Sequence, residues 1–160
     1  MIKFGTTWWK AVLDEMCNKI RRRVRNKHKN ADNKKFKSYA DSYEKIKSEG
    51  KAVSNGSGRR KGESQKSYST TPDMTLTGRT LDELQPTNIK ENGGELTFLT
   101  QGGIVRKLAK HKNYKIVNVG KSNPLGKDET DFFVKEFDRK MVKELKKMGK
   151  KYSKTIRVKL

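Results

Sequence analysis

Two histidines, His28 and His111, are the side chains best suited to move protons at neutral pH. Both sit among lysines, in NKHKN and KHK. Nearby cations disfavour the imidazolium, and no adjacent carboxylate orients either ring as a base. A structural histidine is the simpler reading of each. Asp128, Glu129 and Asp131 lie close enough in sequence to suggest a metal site. Their place at the start of a helical pattern explains them without one, because carboxylates complement the positive end of the helix dipole. A phosphate loop needs a glycine-rich turn that ends in Gly-Lys-Ser or Gly-Lys-Thr. Thr77-Gly78-Arg79 has no such ending, and Gly120-Lys121-Ser122 lacks the earlier glycine. Cys17 is the single cysteine, so neither an intrachain disulfide nor a cysteine metal cluster is available. No catalytic residue, cofactor or metal is expected, and the chain does not read as an enzyme.

The elements that would position these residues are legible from periodicity. Trp9, Val12, Leu13, Met16, Ile20 and Val24 recur at helical spacing, which predicts an amphipathic helix over 6–25. Thr6 or Thr7 is the expected cap. Arg21, Arg22, Arg23 and Arg25, with Lys19, form its opposite face, read as a solvated basic surface. Residues 26–35 are turn-like. Phe36, Tyr39, Tyr43 and Ile46 predict a second helix over 36–50, ended by Gly50.

Gly93-Gly94 separates two strand candidates, one around LQPTNIKEN and one at 95–101. Residues 104–110 suggest one or two helical turns, and 114–119 another strand. A last helix starts near Asp128, its expected cap. It would bury Phe133, Val134, Phe137, Met141, Leu145 and Met148 and stop at Gly149. Ile156 and Val158 alternate within a tail that suits pairing with a sheet edge.

These elements predict an α+β fold. Two terminal amphipathic helices would pack on a small, mainly antiparallel sheet in a single domain over 1–160. Apolar residues make up 31% of the chain and charged residues 36%. A small core with polar extensions follows, because limited burial offsets limited ordering entropy. Residues of about 53–72, rich in Ser, Gly, Lys and Arg, predict a flexible or partner-ordered arm, and 150–160 an extension. The formal net charge of +21 suits nucleic acid or acidic protein partners. The N-terminal stretch carries Asp14 and Glu15 and does not read as a signal peptide, and no membrane span is expected.

The order of segments resembles the tailed-phage virion morphogenesis family, which includes tail-completion and minor tail proteins. Phe36, Tyr39 and Tyr43 match an aromatic element of that family. Asp73, Met74, Thr77, Gly78 and Leu81, within PDMTLTGRTL, match a second, with methionine where leucine is usual. Asn123, Pro124, Leu125 and Gly126 correspond loosely to a late turn whose usual arginine and phenylalanine are absent here.

The resemblance implies a structural virion protein at the neck or tail top, assembled in the host cytoplasm. It would form a homo-oligomeric ring, a hexamer or dodecamer, that joins connector to tail at the head–tail junction. Its partners would be itself and the phage connector, adaptor and tail proteins, with non-specific contact to genomic DNA in the lumen. Met74, Leu76, Thr77, Gly78, Leu81, Ile156 and Val158 become candidate contacts with neighbouring subunits or partners. Arg59, Arg60 and Lys61 of the arm join the helix arginines as basic surface. The alternative is a small basic nucleic-acid-binding protein, in which the same cations face phosphates.

Overall fold

The computed structural model describes residues 4–51, 64–73, 79–100, 103, 105, 106, 110, 114–117 and 125–155, the last six as backbone only. Helix α1 spans Thr6–Arg25 and buries Trp9, Val12, Leu13, Met16, Cys17, Ile20 and Val24. These positions form the apolar face that the spacing predicts. Its cap differs from the expectation. Gly5 holds the extended cap conformation, makes no side-chain cap bond, and accepts from the N–H groups of Trp8 and Trp9. Thr6 and Thr7 are already helical, so neither can cap.

After α1 the chain reverses tightly. His28 and Asn33 adopt left-handed backbone, and Lys29 bridges to Lys35. The Asn30 carboxamide oxygen accepts from the N–H groups of Asp32 and Lys34, replacing a turn of backbone bonding. The helix expected over 36–50 is shorter than its aromatic spacing suggests. Helix α2 spans Asp41–Ser48. Residues 36–40 run extended, because Phe36 is drawn into the core, where it stacks on Tyr114. Gly50 does end the helix. Its φ of 75° is left-handed, and a Cβ there would lie 2.9 Å from the Tyr68 ring.

Helix α3 is a single turn, Arg79–Asp82, that leads into an antiparallel hairpin of β1 (Leu84–Lys90) and β2 (Gly93–Phe98). Leu84 faces Phe98 and Lys90 faces Gly93, with an irregularity between Thr87 and Lys90 where Asn88 turns left-handed. The second strand stops short of residue 101. The Leu99 and Thr100 N–H groups bond to the carbonyl and carboxylate of Glu83 instead of continuing the ladder. Gly103, Val105, Arg106 and Lys110 have helical backbone, in keeping with the expected short turns. Residues 114–117 form a bend, not a strand. Ile116 inserts fully into the core, while the Lys115 carbonyl accepts from the Ala31 N–H.

Helix α4 spans Lys127–Thr155, about 44 Å at 1.5 Å per residue. It begins one residue before Asp128, whose carboxylate pairs with Lys27 in place of capping the helix. It also passes through Gly149 unbroken. That glycine keeps a negative φ, and one internal glycine costs only about 1 kcal/mol relative to alanine.

The architecture is α+β, with α1 and α4 packed about a two-stranded sheet. One core cluster gathers Cys17, Ile20, Val24, Phe36, Leu81, Leu84 and Ile116. Another gathers Val12, Leu13 and Met16 against Ile89, Leu96 and Phe133. Gly94 permits the hairpin's close approach, since a Cβ there would meet Leu13 at 2.6 Å. The two long helices meet at three places, the third through Phe4 just before α1. Arg23 meets Glu129, Trp9 stacks on Phe133, and Phe4 meets Phe137 edge-on at 5.2 Å.

Beyond Phe137, α4 therefore runs past the start of α1. The buried stripe expected there is only partial. Phe133, Phe137 and Met141 are half-buried, but Val134, Leu145 and Met148 are exposed, as is Val142. Ile20→Ala should lower stability by about 2–5 kcal/mol. Val142→Ala should change it by less than about 0.5 kcal/mol. Urea unfolding of both variants checks this division between core and arm.

Candidate functional site

The groups that suggested chemistry do not converge. His28 lies in the turn after α1, with its Nδ1 buried and without a hydrogen-bond partner, while His111 lies outside the described residues. The three acids of the α4 start separate completely. Asp128 pairs with Lys27, Glu129 with Arg23, and Asp131 with Lys127. Among the described residues no cluster of His, Cys, Asp and Glu is placed to hold a metal ion. Cys17 is buried, and desolvation pushes its thiol up to about 11, so it is a core residue and a poor nucleophile.

Two buried ionic knots organise the interior instead. In the first, Arg23 Nε donates to Glu129 Oε1 at 2.9 Å, and both side chains are almost fully buried. The same guanidinium donates to the carbonyls of Lys29 and Ile116, at 3.1 and 2.8 Å. One side chain thus joins α1, the turn behind it, the bend at 116 and the base of α4. Gly126 makes room for it. A Cβ there would sit 2.4 Å from Glu129 Oε2 and 3.0 Å from Arg23 Nε. This is the physical role of the last residue of the NPLG turn.

In the second knot, the fully buried Lys47 donates to Asp73 at 2.8 Å and lies 4.8 Å from the centre of the Tyr39 ring. Tyr39 and Ser67 hydroxyls also donate to Asp73, and Gln65 donates to the carbonyls of Lys47 and Ser67. Residues 64–72, assigned from composition to the polar arm, are therefore fastened to α2 through Gln65, and through Ser67 to Asp73, which holds Lys47. Residues 53–63 lie outside the described residues. The Ser, Lys, Asp and Tyr in this knot resemble catalytic groups by type. Here the lysine is held by the carboxylate, and each polar group has a structural partner.

The basic surface proposed for α1 is corrected at two of its four arginines. Arg23 is internal. Arg21 donates to the carbonyls of Leu81 and Leu84, and so fixes α3 to the start of β1. Arg25 pairs with Asp82, which also takes Lys66. Arg22 is exposed and pairs with Glu15. Arg59, Arg60 and Lys61 lie outside the described residues. Of the proposed contact residues, Leu81 is 1% exposed and packs in its own core, which leaves no surface for a neighbour. Met74, Leu76, Thr77, Gly78, Ile156 and Val158 lie outside the described residues.

Two surface features remain. An apolar groove of about 490 Å³ lies between α1, β2 and α4, walled by Trp9, Leu13, Met16, Leu96 and Phe133. The outer half of α4 is the second. Its apolar residues Val142, Leu145 and Met148 are 50%, 53% and 42% exposed, and Arg139, Lys143, Lys146 and Lys147 stand beside them. Among the described residues, every hydrogen bond and ion pair of α4 past Phe137 lies within the helix. Sequence reading missed Lys47 and the exposure of this arm. Lys47 is four residues after Tyr43, yet Tyr43 is exposed and Tyr39 precedes α2, so no helical spacing in the sequence marked Lys47 as buried.

No family model, curated protein or solved structure matches the chain. No helix among the described residues is long and apolar enough to cross a membrane.

Arg23→Met should cost about 3–5 kcal/mol, because Glu129 is left buried and unpaired. Adding Glu129→Leu should recover most of that loss, which a double-mutant cycle by urea unfolding would read. A separate expectation concerns acid. The Lys27 hydrogen bond holds Asp128 below the usual 3.8. Burial pushes Asp82 up, but hydrogen bonds from Arg25 and Lys66 outweigh it and hold it low. Folded values below unfolded ones stabilise above the unfolded pKa, and this is lost as pH falls through the folded values. Melting temperature should therefore drop from about pH 5 towards pH 2, and drop less in a Asp82→Asn, Asp128→Asn variant.

Proposed function

We propose that this protein is a structural subunit of a tailed-phage virion. It assembles as a homo-oligomeric ring at the head–tail junction, as a neck or tail-completion protein, and joins connector to tail. The observation that carries this reading is α4. It is a 29-residue helix whose base is locked into the protomer, while its outer half presents Val142, Leu145 and Met148 to solvent. An apolar face held on a rigid base suits a subunit whose burial is completed by neighbours. The segment resemblance around Phe36, Tyr39, Tyr43, Asp73 and Gly126 supports the same reading. Asp73 and Gly126 each have a structural task here, one binding residues 64–73 to α2 and the other admitting the Arg23–Glu129 pair.

The ring would meet connector, adaptor and tail proteins above and below. The +21 charge supports contact with acidic patches on them, and non-specific contact with DNA in the lumen. A small basic nucleic-acid-binding protein is the second reading, favoured by the row of cations at Arg139, Lys143, Lys146 and Lys147. The arginines of α1 lend it less support, because Arg21 and Arg23 point into the protein.

The mass of the purified chain, measured by light scattering at rising concentration with and without duplex DNA, separates the readings. Discrete closed oligomers without DNA are the expected result. A monomer that shifts only with DNA, and loses the shift as salt rises, would replace the ring with the nucleic-acid reading.

A further inference from the structure

We propose that the outer half of α4 is a docking arm for an acidic amphipathic helix of another protein. This is the same exposed face that supports the ring, and the occupant proposed for it is a different protein, not a second copy of this chain. Residues 138–155 contain Arg139 and lysines 140, 143, 146, 147, 150, 151 and 154, against only Asp138 and Glu144. Lys140 and Lys147 share Glu144, and Arg139 pairs with Glu136. Lys143 and Lys146 have no ion pair among the described residues. They flank Val142, and with Arg139 and Lys147 they wall a shallow depression of about 430 Å³.

The face has two parallel parts. Val142, Leu145 and Met148 recur at spacings of three and form an apolar ridge. Arg139, Lys143 and Lys146, at spacings of four and three, form a cationic ridge beside it. A helix with apolar anchors at i, i+3 and i+7, and with carboxylates along one flank, satisfies both ridges together.

Other occupants satisfy only part of this surface. Duplex DNA engages cations through its phosphates and leaves the apolar ridge in water. A second copy of the arm would set two strongly cationic segments side by side, well within the Debye length of about 8 Å at physiological salt. An anionic bilayer favours a helix with cations on both flanks of a broad apolar face. Here the aromatic residues Phe132, Phe133 and Phe137 are turned towards the protein body, and the flank opposite the cationic ridge holds the Lys140–Glu144 pair.

The test uses the whole chain and a designed 21-residue helical peptide with leucines at i, i+3 and i+7 and glutamates on one flank. Binding is followed by fluorescence anisotropy in 150 mM salt. Controls are the same peptide with serines for leucines, polyglutamate, duplex DNA, and phosphatidylcholine–phosphatidylglycerol vesicles. The designed peptide should bind. Val142→Ser with Leu145→Ser, and separately Lys143→Glu with Lys146→Glu, should each weaken it at least tenfold. Lys34→Glu with Lys37→Glu, the same charge change at exposed positions elsewhere, should not. All these sites are exposed, and circular dichroism checks that each variant folds.

Equal binding of polyglutamate, or indifference to the Val142/Leu145 change, would reduce the arm to a charge patch and overturn the proposal. Vesicle or DNA binding that depends on Val142 and Leu145, in place of peptide binding, would also overturn it. Loss of a homo-oligomer in the Val142/Leu145 variant without peptide binding by the parent chain would assign the ridge to self-association. Ring formation is read by mass and docking by anisotropy, so a failure of one is told apart from a failure of the other.

Discussion

The Arg23–Glu129 pair is the constraint on which the fold turns. Removing both charges from water carries a penalty that a bare ion pair does not reliably offset. The guanidinium gains further bonds from the carbonyls of Lys29 and Ile116, so three of its donors are engaged. Those bonds come from parts of the chain that share no sheet or helix. The pair therefore specifies where α4 begins relative to the end of α1, and how the turn and the bend close over them. Gly126 belongs to the same unit, because any side chain there would occupy the space of the Glu129 carboxylate.

A protein of net charge +21 has to place its cations somewhere, and this one uses several as internal connectors. Arg21, Arg23 and Lys47 each bind backbone carbonyls or a buried acid at a junction between segments. A small apolar core gains definition from such bonds, because each buried donor must find its partner and tolerates few alternative packings. The outer half of α4, residues 138–155, carries eight further cations against two acids.

The long helix links this arm to the interior. Its first turns are fixed by the ion pair and by the aromatic contacts of Phe133 and Phe137 with Trp9 and Phe4. Its outer turns follow from helix propensity and from pairs within the helix, such as Lys140–Glu144. A rigid base and an outer face with exposed apolar residues give a lever of defined direction. That geometry suits assembly, in which affinity depends on presenting a preformed surface.

Local elements with strong, periodic signals are legible in the order of residues. Helix α1 matches its expected bounds, Gly50 ends α2, and the hairpin forms, although its turn is Glu91-Asn92 and the expected turn glycines, Gly93 and Gly94, lie within β2. Each follows from side-chain spacing or from backbone freedom, which are properties of neighbouring residues. The remaining features depend on contacts between segments distant in the chain. Phe36 left its helical stripe because the core had a place for it beside Tyr114. Arg21 and Arg23 turned inward because carbonyls and a carboxylate distant in sequence converged on them, and no local pattern encodes that convergence. Leu145 and Met148 stayed outside because the contacts of α4 with α1 and Phe4 reach only as far as Phe137. An apolar stripe states what a helix can bury, and the length of its neighbour decides how much of it is buried.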